Sequence, residues 1–138
     1  MYINIKLDVG AIKPKKAHDM DAGFDLYSRD DCVIKGGSSA CFDTGVHVEI
    51  PRGMVGFLKS KSGLNVNHSI TSDGVIDAGY TGSIIVKLYN DSNVDYVVSR
   101  GDKITQIVFL PIPEIVLRNK DTLKDSDRGD NGFGSSGK

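Results

Sequence analysis

Gly74-Val75-Ile76-Asp77-Ala78-Gly79-Tyr80-Thr81-Gly82-Ser83-Ile84-Ile85-Val86-Lys87-Leu88-Tyr89 contains two apolar runs divided by a glycine-rich turn. The first run, Val75 and Ile76, ends in the carboxylate of Asp77. The second, Ser83 to Tyr89, places Ile84, Val86 and Leu88 on one face and Ile85, Lys87 and Tyr89 on the other. That period of two is the mark of a strand. Turn residues between two such runs predict a β-hairpin or a tight strand–loop–strand corner. Glycine has no Cβ, so backbone here can approach a ligand closely. The turn also carries an acid, Asp77, and a ring, Tyr80. Taken alone, the pattern favours an ordinary surface hairpin, because Asp and Gly are common turn residues.

The same alternation recurs along the chain. Ile3, Ile5 and Leu7 share a face, as do Val46, Val48 and Ile50 before Pro51. Val94, Tyr96 and Val98 follow, then Ile104 to Leu110, with Gln106 on the face of Ile104, Val108 and Leu110. Gly, Pro, Asn and Asp punctuate the intervals. The expected fold is all-β, a jelly-roll-like barrel or sandwich of short antiparallel strands, with one short helix in Ser62 to His68 and a flexible C-terminal tail. Residues 1–118 form the β-rich domain. Residues 119–138 are polar and then glycine-rich, too poor in apolar side chains to order alone, and are expected to be a mobile arm.

With 138 residues, net charge −1 and no basic block, the chain is one domain without the electrostatic footprint of a duplex nucleic-acid binder. Cys32 and Cys41 are too few for a disulfide framework and do not cluster with His18, His47 or His68. They are expected to be reduced, half-buried thiols of a cytoplasmic protein. No hydrophobic leader or membrane-length run is present, so no membrane partner is expected.

Four further stretches could carry chemistry. In Asp21-Ala22-Gly23-Phe24-Asp25-Leu26-Tyr27, strand geometry turns Phe24 and Leu26 inward and Asp25 outward. Two acids four apart could assist a cation, although a lone strand Asp is usually solvated. Lys59-Ser60-Lys61-Ser62-Gly63-Leu64 sets small hydroxyls and a cation at a strand-to-helix junction, suited to an anion or simply to an N-cap. In Arg100-Gly101-Asp102-Lys103-Ile104-Thr105-Gln106, the amide of Gln106 needs a structural or ligand partner. Gly132-Phe133-Gly134-Ser135-Ser136-Gly137-Lys138 satisfies phosphate-loop patterns but has no following helix, which leaves a glycine nest with Arg128 as a forked cation.

In this order, Ala22-Gly23-Phe24-Asp25-Leu26, Lys61-Ser62-Gly63-Leu64, Gly74 to Gly82, Arg100 to Gln106 and Arg128 to Gly137 resemble the five motifs of the trimeric dUTPase family. The resemblance implies a jelly-roll fold and a homotrimer with shared sites, in which the C-terminal segment reaches a neighbour. It implies hydrolysis of dUTP to dUMP and pyrophosphate, with Asp77 as general base for water attacking the α-phosphorus. Gln106 would hold phosphates and water. Tyr80 would pack on the deoxyribose and exclude a 2′-hydroxyl. Asp25 would hold Mg²⁺ through water, and Lys61, Ser62 and Gly63 would contact phosphates. Arg128, Gly134 and Ser135 would close over the β- and γ-phosphates, with Phe133 stacked on uracil. Uracil would be read by main-chain groups around Thr71, Gly74, Val75, Ile76 and Ile85. A cytosine would present a donor where uracil accepts, at about 1–3 kcal/mol for each group left unpaired.

The chain departs from the family pattern at Lys61, where arginine is usual, and at Phe24, where tyrosine is more usual. Lysine keeps the charge and loses the bidentate fork. Two other readings share parts of the pattern. A dCTP deaminase-like enzyme has a similar acid–glycine–aromatic run but would need a downstream glutamate where Ile84 to Lys87 stand. A non-enzymatic jelly-roll module would bind a protein partner, and a regulatory partner is compatible with an intact enzyme.

Overall fold

In the computed structural model, which describes residues 1–134, 136 and 137, the alternating runs are strands and the helix is where its spacing predicts. In chain order the elements are β1 (Asn4–Leu7), β2 (Gly23–Tyr27), β3 (Cys32–Ile34), β4 (Ser39–Asp43), β5 (Val46–Glu49) and β6 (Met54–Lys59). After α1 (Ser62–His68) come β7 (Ile70–Thr71), β8 (Asp73–Ile76), β9 (Ile85–Asn90), β10 (Tyr96–Val98) and β11 (Lys103–Pro111). The larger sheets are β2-β11-β6-β8 and β4-β9-β7, and the pairs β1-β5 and β10-β3 complete the layers. Every strand pairing is antiparallel. The sheets stay open and do not close into a barrel.

One apolar core joins both larger sheets. Leu26, Leu58, Ile104 and Ile107 come from the first, and Phe42, Ile70, Val86 and Leu88 from the second. β9 shows the alternation in its simplest form, with Val86 and Leu88 fully buried and Ile85, Lys87 and Tyr89 exposed. Burying each such aliphatic side chain contributes about 1.5–3 kcal/mol.

Four expectations are corrected. First, β11 is not evenly alternating: its register against β2 shifts between Lys103 and Thr105. A one-residue slip exchanges the faces of a strand. Ile104 and Thr105 are both buried, so Ile104 leaves the face of Gln106; Gln106 keeps Val108 and Leu110 on its face, but Val108 is half-buried and Leu110 exposed, so that face is not the core face. Second, β9 begins at Ile85, because Ser83 and Ile84 belong to the turn. Third, the β1 face is unburied, with Ile5 and Leu7 39% and 38% exposed, and Val94 lies outside β10. Fourth, Cys32 is half-buried and Cys41 is exposed, and both are free thiols.

The end of β9 is locked by a buried amide. Asn90 Nδ2 donates to the carbonyls of Ile34 (3.0 Å) and Val94 (2.8 Å), while its Oδ1 accepts from Ser92 N and Oγ. This one side chain joins β3, the β9–β10 turn and the main sandwich. Asn90→Ala is expected to lower unfolding free energy by about 1–3 kcal/mol, since buried carbonyls lose their donors. Urea denaturation followed by circular dichroism measures it.

Candidate active site

Strand register draws four polar side chains into one row. Gln106 of β11 is paired with Asp25 of β2 on one side and Lys59 of β6 on the other, and Lys59 is paired with Asp73 of β8. The row lies at the end of the sheet where β6 runs into α1.

Asp25 is the buried member, 3% exposed, against the sequence expectation of an outward, solvated acid. The reason is two ammonium groups. Lys61 Nζ hydrogen-bonds Oδ1, and Lys103 Nζ lies 2.8 Å from Oδ2. Burial pushes the Asp25 carboxyl up, but the hydrogen bonds and charges of Lys103 and Lys61 outweigh it and hold the group below the ordinary carboxylate range. The same contact raises Lys103. Asp21, the other acid of that stretch, caps its own turn by accepting from His18 N at 2.9 Å.

Lys61 is aimed by its neighbours. It stands at the N-cap position of α1 in extended conformation, with Ser62 and Gly63 exposed in the first helical turn. Ahead of it, Ser60 Oγ donates to Ser72 O (3.0 Å) and accepts from Ser72 N (2.9 Å). Ser72 Oγ meets Thr105 Oγ1 at 2.7 Å, and Thr105 Oγ1 donates to Lys59 O at 3.0 Å. This buried hydroxyl latch fixes the β6–α1 junction against β8 and β11. Gln106 Nε2 donates to Ser60 O at 3.2 Å. Its side chain occupies the space above Gly23, where a Cβ would come within 2.5 Å of Gln106 Oε1. Glycine at that position is a seat for the amide.

The run Gly74–Gly82 is a strand–loop–strand corner and not a hairpin: β8 pairs with β6, whereas β9 pairs with β4 and β7, so the loop after Ile76 passes from one sheet to the other. Ile76 pairs with Gly56, three positions along β8 from the Asp73–Lys59 pair, and Asp77 is the fourth, beyond the strand. Strand geometry puts Asp77 about 13 Å along the sheet from the row and about 14 Å across it from Asp25. Asp77 is exposed, and its carbonyl accepts from Tyr80 N at 3.2 Å. Tyr80 is 46% exposed and its hydroxyl donates to Ser83 O at 3.0 Å. The ring folds over Gly82, where a Cβ would be 2.6 Å from Cζ. Gly79 takes φ +88°, a left-handed turn that other residues rarely adopt. Val75 and Ile85 are exposed beside the turn, Gly74 is opposite Leu58, and Thr71 is opposite Tyr89.

The C-terminal candidates form local turns. Arg128 Nε donates to Asn131 O at 2.9 Å, and Phe133 is wholly exposed beside Gly134 at φ +98°. Ser135 lies outside the described residues. One chain thus gathers Asp25, Lys61 and Gln106 in one place, and Asp77 and Tyr80 in another. Lys103 was quoted within its motif but given no role. Its position at the bulge, not its spacing, is what turns it onto Asp25.

The dUTPase family model matches residues 10–137. The chain belongs to the dUTPase family. It is 42% identical to the deoxyuridine 5′-triphosphate nucleotidohydrolase of Clostridium acetobutylicum, over 96% of this chain and 93% of that one. It is 45% identical to the Mycobacterium marinum enzyme of the same name, over 96% and 92%. Among solved structures, the dUTPase of Staphylococcus bacteriophage 80alpha with dUpNHpp matches with TM-score 0.91 at 30% identity, over 99% of this chain and 98% of that one. A dUTPase from Staphylococcus aureus phage phi11, with TM-score 0.82 and 27% identity over 88% and 98%, is described with a structural Mg(II) ion.

The side chains of this member do not fit a directly held metal. No group of three or more His, Cys, Asp or Glu residues gathers among the described residues, and both oxygens of Asp25 face ammonium groups.

A depressed carboxyl contributes stability that is present above its unfolded value and lost as pH falls through its folded value. Replacing both Lys61 and Lys103 by Met leaves burial unopposed. The Asp25 carboxyl is then expected to titrate above the ordinary carboxylate range, and the sign of its linkage reverses: it lowers stability as pH rises through that range instead of as pH falls. Carboxyl-carbon NMR of Asp25 from pH 2 to 8 reads this directly.

Proposed function

We propose that the chain hydrolyses dUTP to dUMP and pyrophosphate. The observation that carries this reading is the exposed Asp77–Tyr80 turn on a chain that matches a dUTPase holding a dUTP analogue over 99% of its length. Asp77 is the general base, taking a proton from the water that attacks the α-phosphorus. Such a base contributes roughly 10²–10⁴-fold. The remainder comes from positioning and charge neutralisation of the triphosphate, which dominate phosphoryl chemistry.

Main-chain groups of Thr71, Gly74, Val75 and Ile76, with Ile85 alongside, read the uracil edge. Tyr80, preset by its bond to Ser83, packs on the deoxyribose. Lys61, Ser62 and Gly63 meet the phosphates, and Gln106 orders phosphate and water from its seat above Gly23. Arg128, Phe133, Gly134 and Ser135 belong to an arm, residues 119–138, that covers the bound nucleotide. Mg²⁺ enters as the counter-ion of the triphosphate, whose oxygens and waters supply its ligands. Any contribution of Asp25 to that ion is through water.

The working unit is a homotrimer with shared sites. Support comes from the roughly 20 Å separation between Asp77 and Asp25, too far for one nucleotide's base, sugar and phosphates to satisfy both within a chain. The fold also leaves an apolar hollow of about 390 Å³ lined by Ile5, Phe24, Val48 and Phe109, and an exposed run Ile115-Val116-Leu117. Exposed apolar surface of this kind marks association.

A panel of dUTP, dCTP, dTTP and UTP, scored for pyrophosphate with and without Mg²⁺, tests the activity. Turnover of dUTP alone is expected, and ammonia release from dCTP would replace this function with deamination. Asp77→Asn should bind dUTP with kcat lowered by about 10²–10⁴-fold. Sharing is tested by mixing Asp77→Asn with Lys61→Ala after joint unfolding and refolding. Activity that neither variant has alone is expected; its absence would place each site within one chain.

A further inference from the structure

His47 lies on β5 between the core residues Val46 and Val48 and turns away from them. Its Nδ1 is 2.7 Å from the carbonyl oxygen of Thr81, and its Nε2 is 3.2 Å from Oδ2 of Asp8. A carbonyl oxygen and a carboxylate both only accept. The Thr81 carbonyl therefore requires a proton on Nδ1, and the Asp8 carboxylate, within ion-pair distance of Nε2 but without hydrogen-bond geometry, favours a second proton and so the imidazolium.

Thr81 follows Tyr80 in the loop between β8 and β9. From Asp77 to Gly82 the other hydrogen bonds stay within the turn: Tyr80 N to Asp77 O and Tyr80 hydroxyl to Ser83 O. The exit is held by Ile84 N to Val46 O at 2.9 Å and by Ser83 Oγ on Asp43. Among the described residues, His47 is the hydrogen-bond tie between the middle of this turn and the rest of the chain. We propose that His47 is a positioning residue for substrate selection: bridging Asp8 and the Thr81 carbonyl, it holds Tyr80 where the sugar is tested. This rests on the role given to Tyr80 above.

The charged groups around the ring are few. Asp8 follows β1 and touches Nε2. Lys6 is the cross-strand partner of His47 on β1. Glu49 is two residues along β5, occupied by Asn4 Nδ2 at 2.7 Å. From the β8–β9 loop the ring meets the uncharged Thr81 carbonyl, with Asp77 at the start of that loop. The Thr81 hydrogen bond and then Asp8 keep the ring protonated to higher pH than usual, against burial and Lys6. The clamp is therefore complete below the ordinary histidine value of about 6.5 and weakens as pH rises through the raised value. The neutral ring can still donate from Nδ1, but its Nε2 lone pair then faces the Asp8 carboxylate, which drives the ring and the turn apart.

The test uses the full chain with His47→Ala, His47→Gln and Asp8→Asn. Gln supplies an uncharged donor for Thr81. His47→Ala is expected to raise KM for dUTP about three- to tenfold, the worth of one hydrogen bond, with kcat held and the preference for dUTP over UTP narrowed. His47→Gln is expected to restore most of KM and to flatten its dependence on pH. In the parent chain KM should rise across the His47 titration read by ring-proton NMR, and Asp8→Asn should move titration and KM profile down together. Unchanged KM and sugar preference in His47→Ala would overturn the proposal, as would a profile that stays put when the titration moves. A purely structural role would lower stability without separating KM from kcat. Amide hydrogen exchange at residues 80–82 without nucleotide decides the clamp independently of activity. Faster exchange in His47→Ala is expected, and unchanged exchange overturns the clamp. Should the parent chain fail to hydrolyse dUTP, the function assigned above falls while the exchange result still stands.

Discussion

A carboxylate cannot be carried into a sheet interior without partners, because desolvation costs several kcal/mol that only paired charge can offset. Asp25 meets that constraint with Lys61 from the β6–α1 junction and Lys103 from the start of β11. These two lysines reach one carboxylate only if β2, β11 and β6 keep their observed register and α1 starts where it does. The bulge at Lys103 is part of the same solution, since it frees that residue from the even alternation of β11. The Ser60–Ser72–Thr105 latch holds the backbone from which Lys61 extends. Pairing of one buried acid thus ties β2 and β11 to the β6–α1 junction.

Lys61 matters here as a lysine. An arginine, the family's usual residue, presents a planar fork that can grip two acceptors in one plane. A lysine presents a single rotatable ammonium, and in this chain that ammonium is engaged by Asp25. The charge that Lys61 presents to its surroundings therefore follows the protonation of Asp25.

The corner between β8 and β9 meets a different constraint. A turn open enough to leave its ring exposed lets that ring move unless something holds it. Glycine supplies the openness at Gly79 and Gly82. Tyr80 is then held from within by Ser83, and its neighbour Thr81 from outside by His47. The corner loop and the Asp25 row stand at different ends of the sheet, and each has its own environment.

Strand identity, the short helix and the all-β class were legible in residues 1–118, because period-two burial is written directly into runs such as Ile84 to Tyr89. The motif order also identified the family, and with it Asp77, Tyr80, Lys61 and Gln106 as candidates. Local pattern could not reveal what depends on residues distant in sequence. The exposure assigned to Asp25 was wrong because Lys61 and Lys103 are 36 and 78 positions away, and a lone strand acid without them would indeed face water. Ile104 leaves the face of Gln106 because a bulge is a property of two strands together, and no alternation within one strand announces it. His47 stands on the face of β5 opposite Val46 and Val48, and nothing near it in sequence names Thr81 or Asp8 as its partners. Side-chain periodicity is local and survives in the sequence; charge pairing and register are contacts between distant segments, which only the folded chain decides.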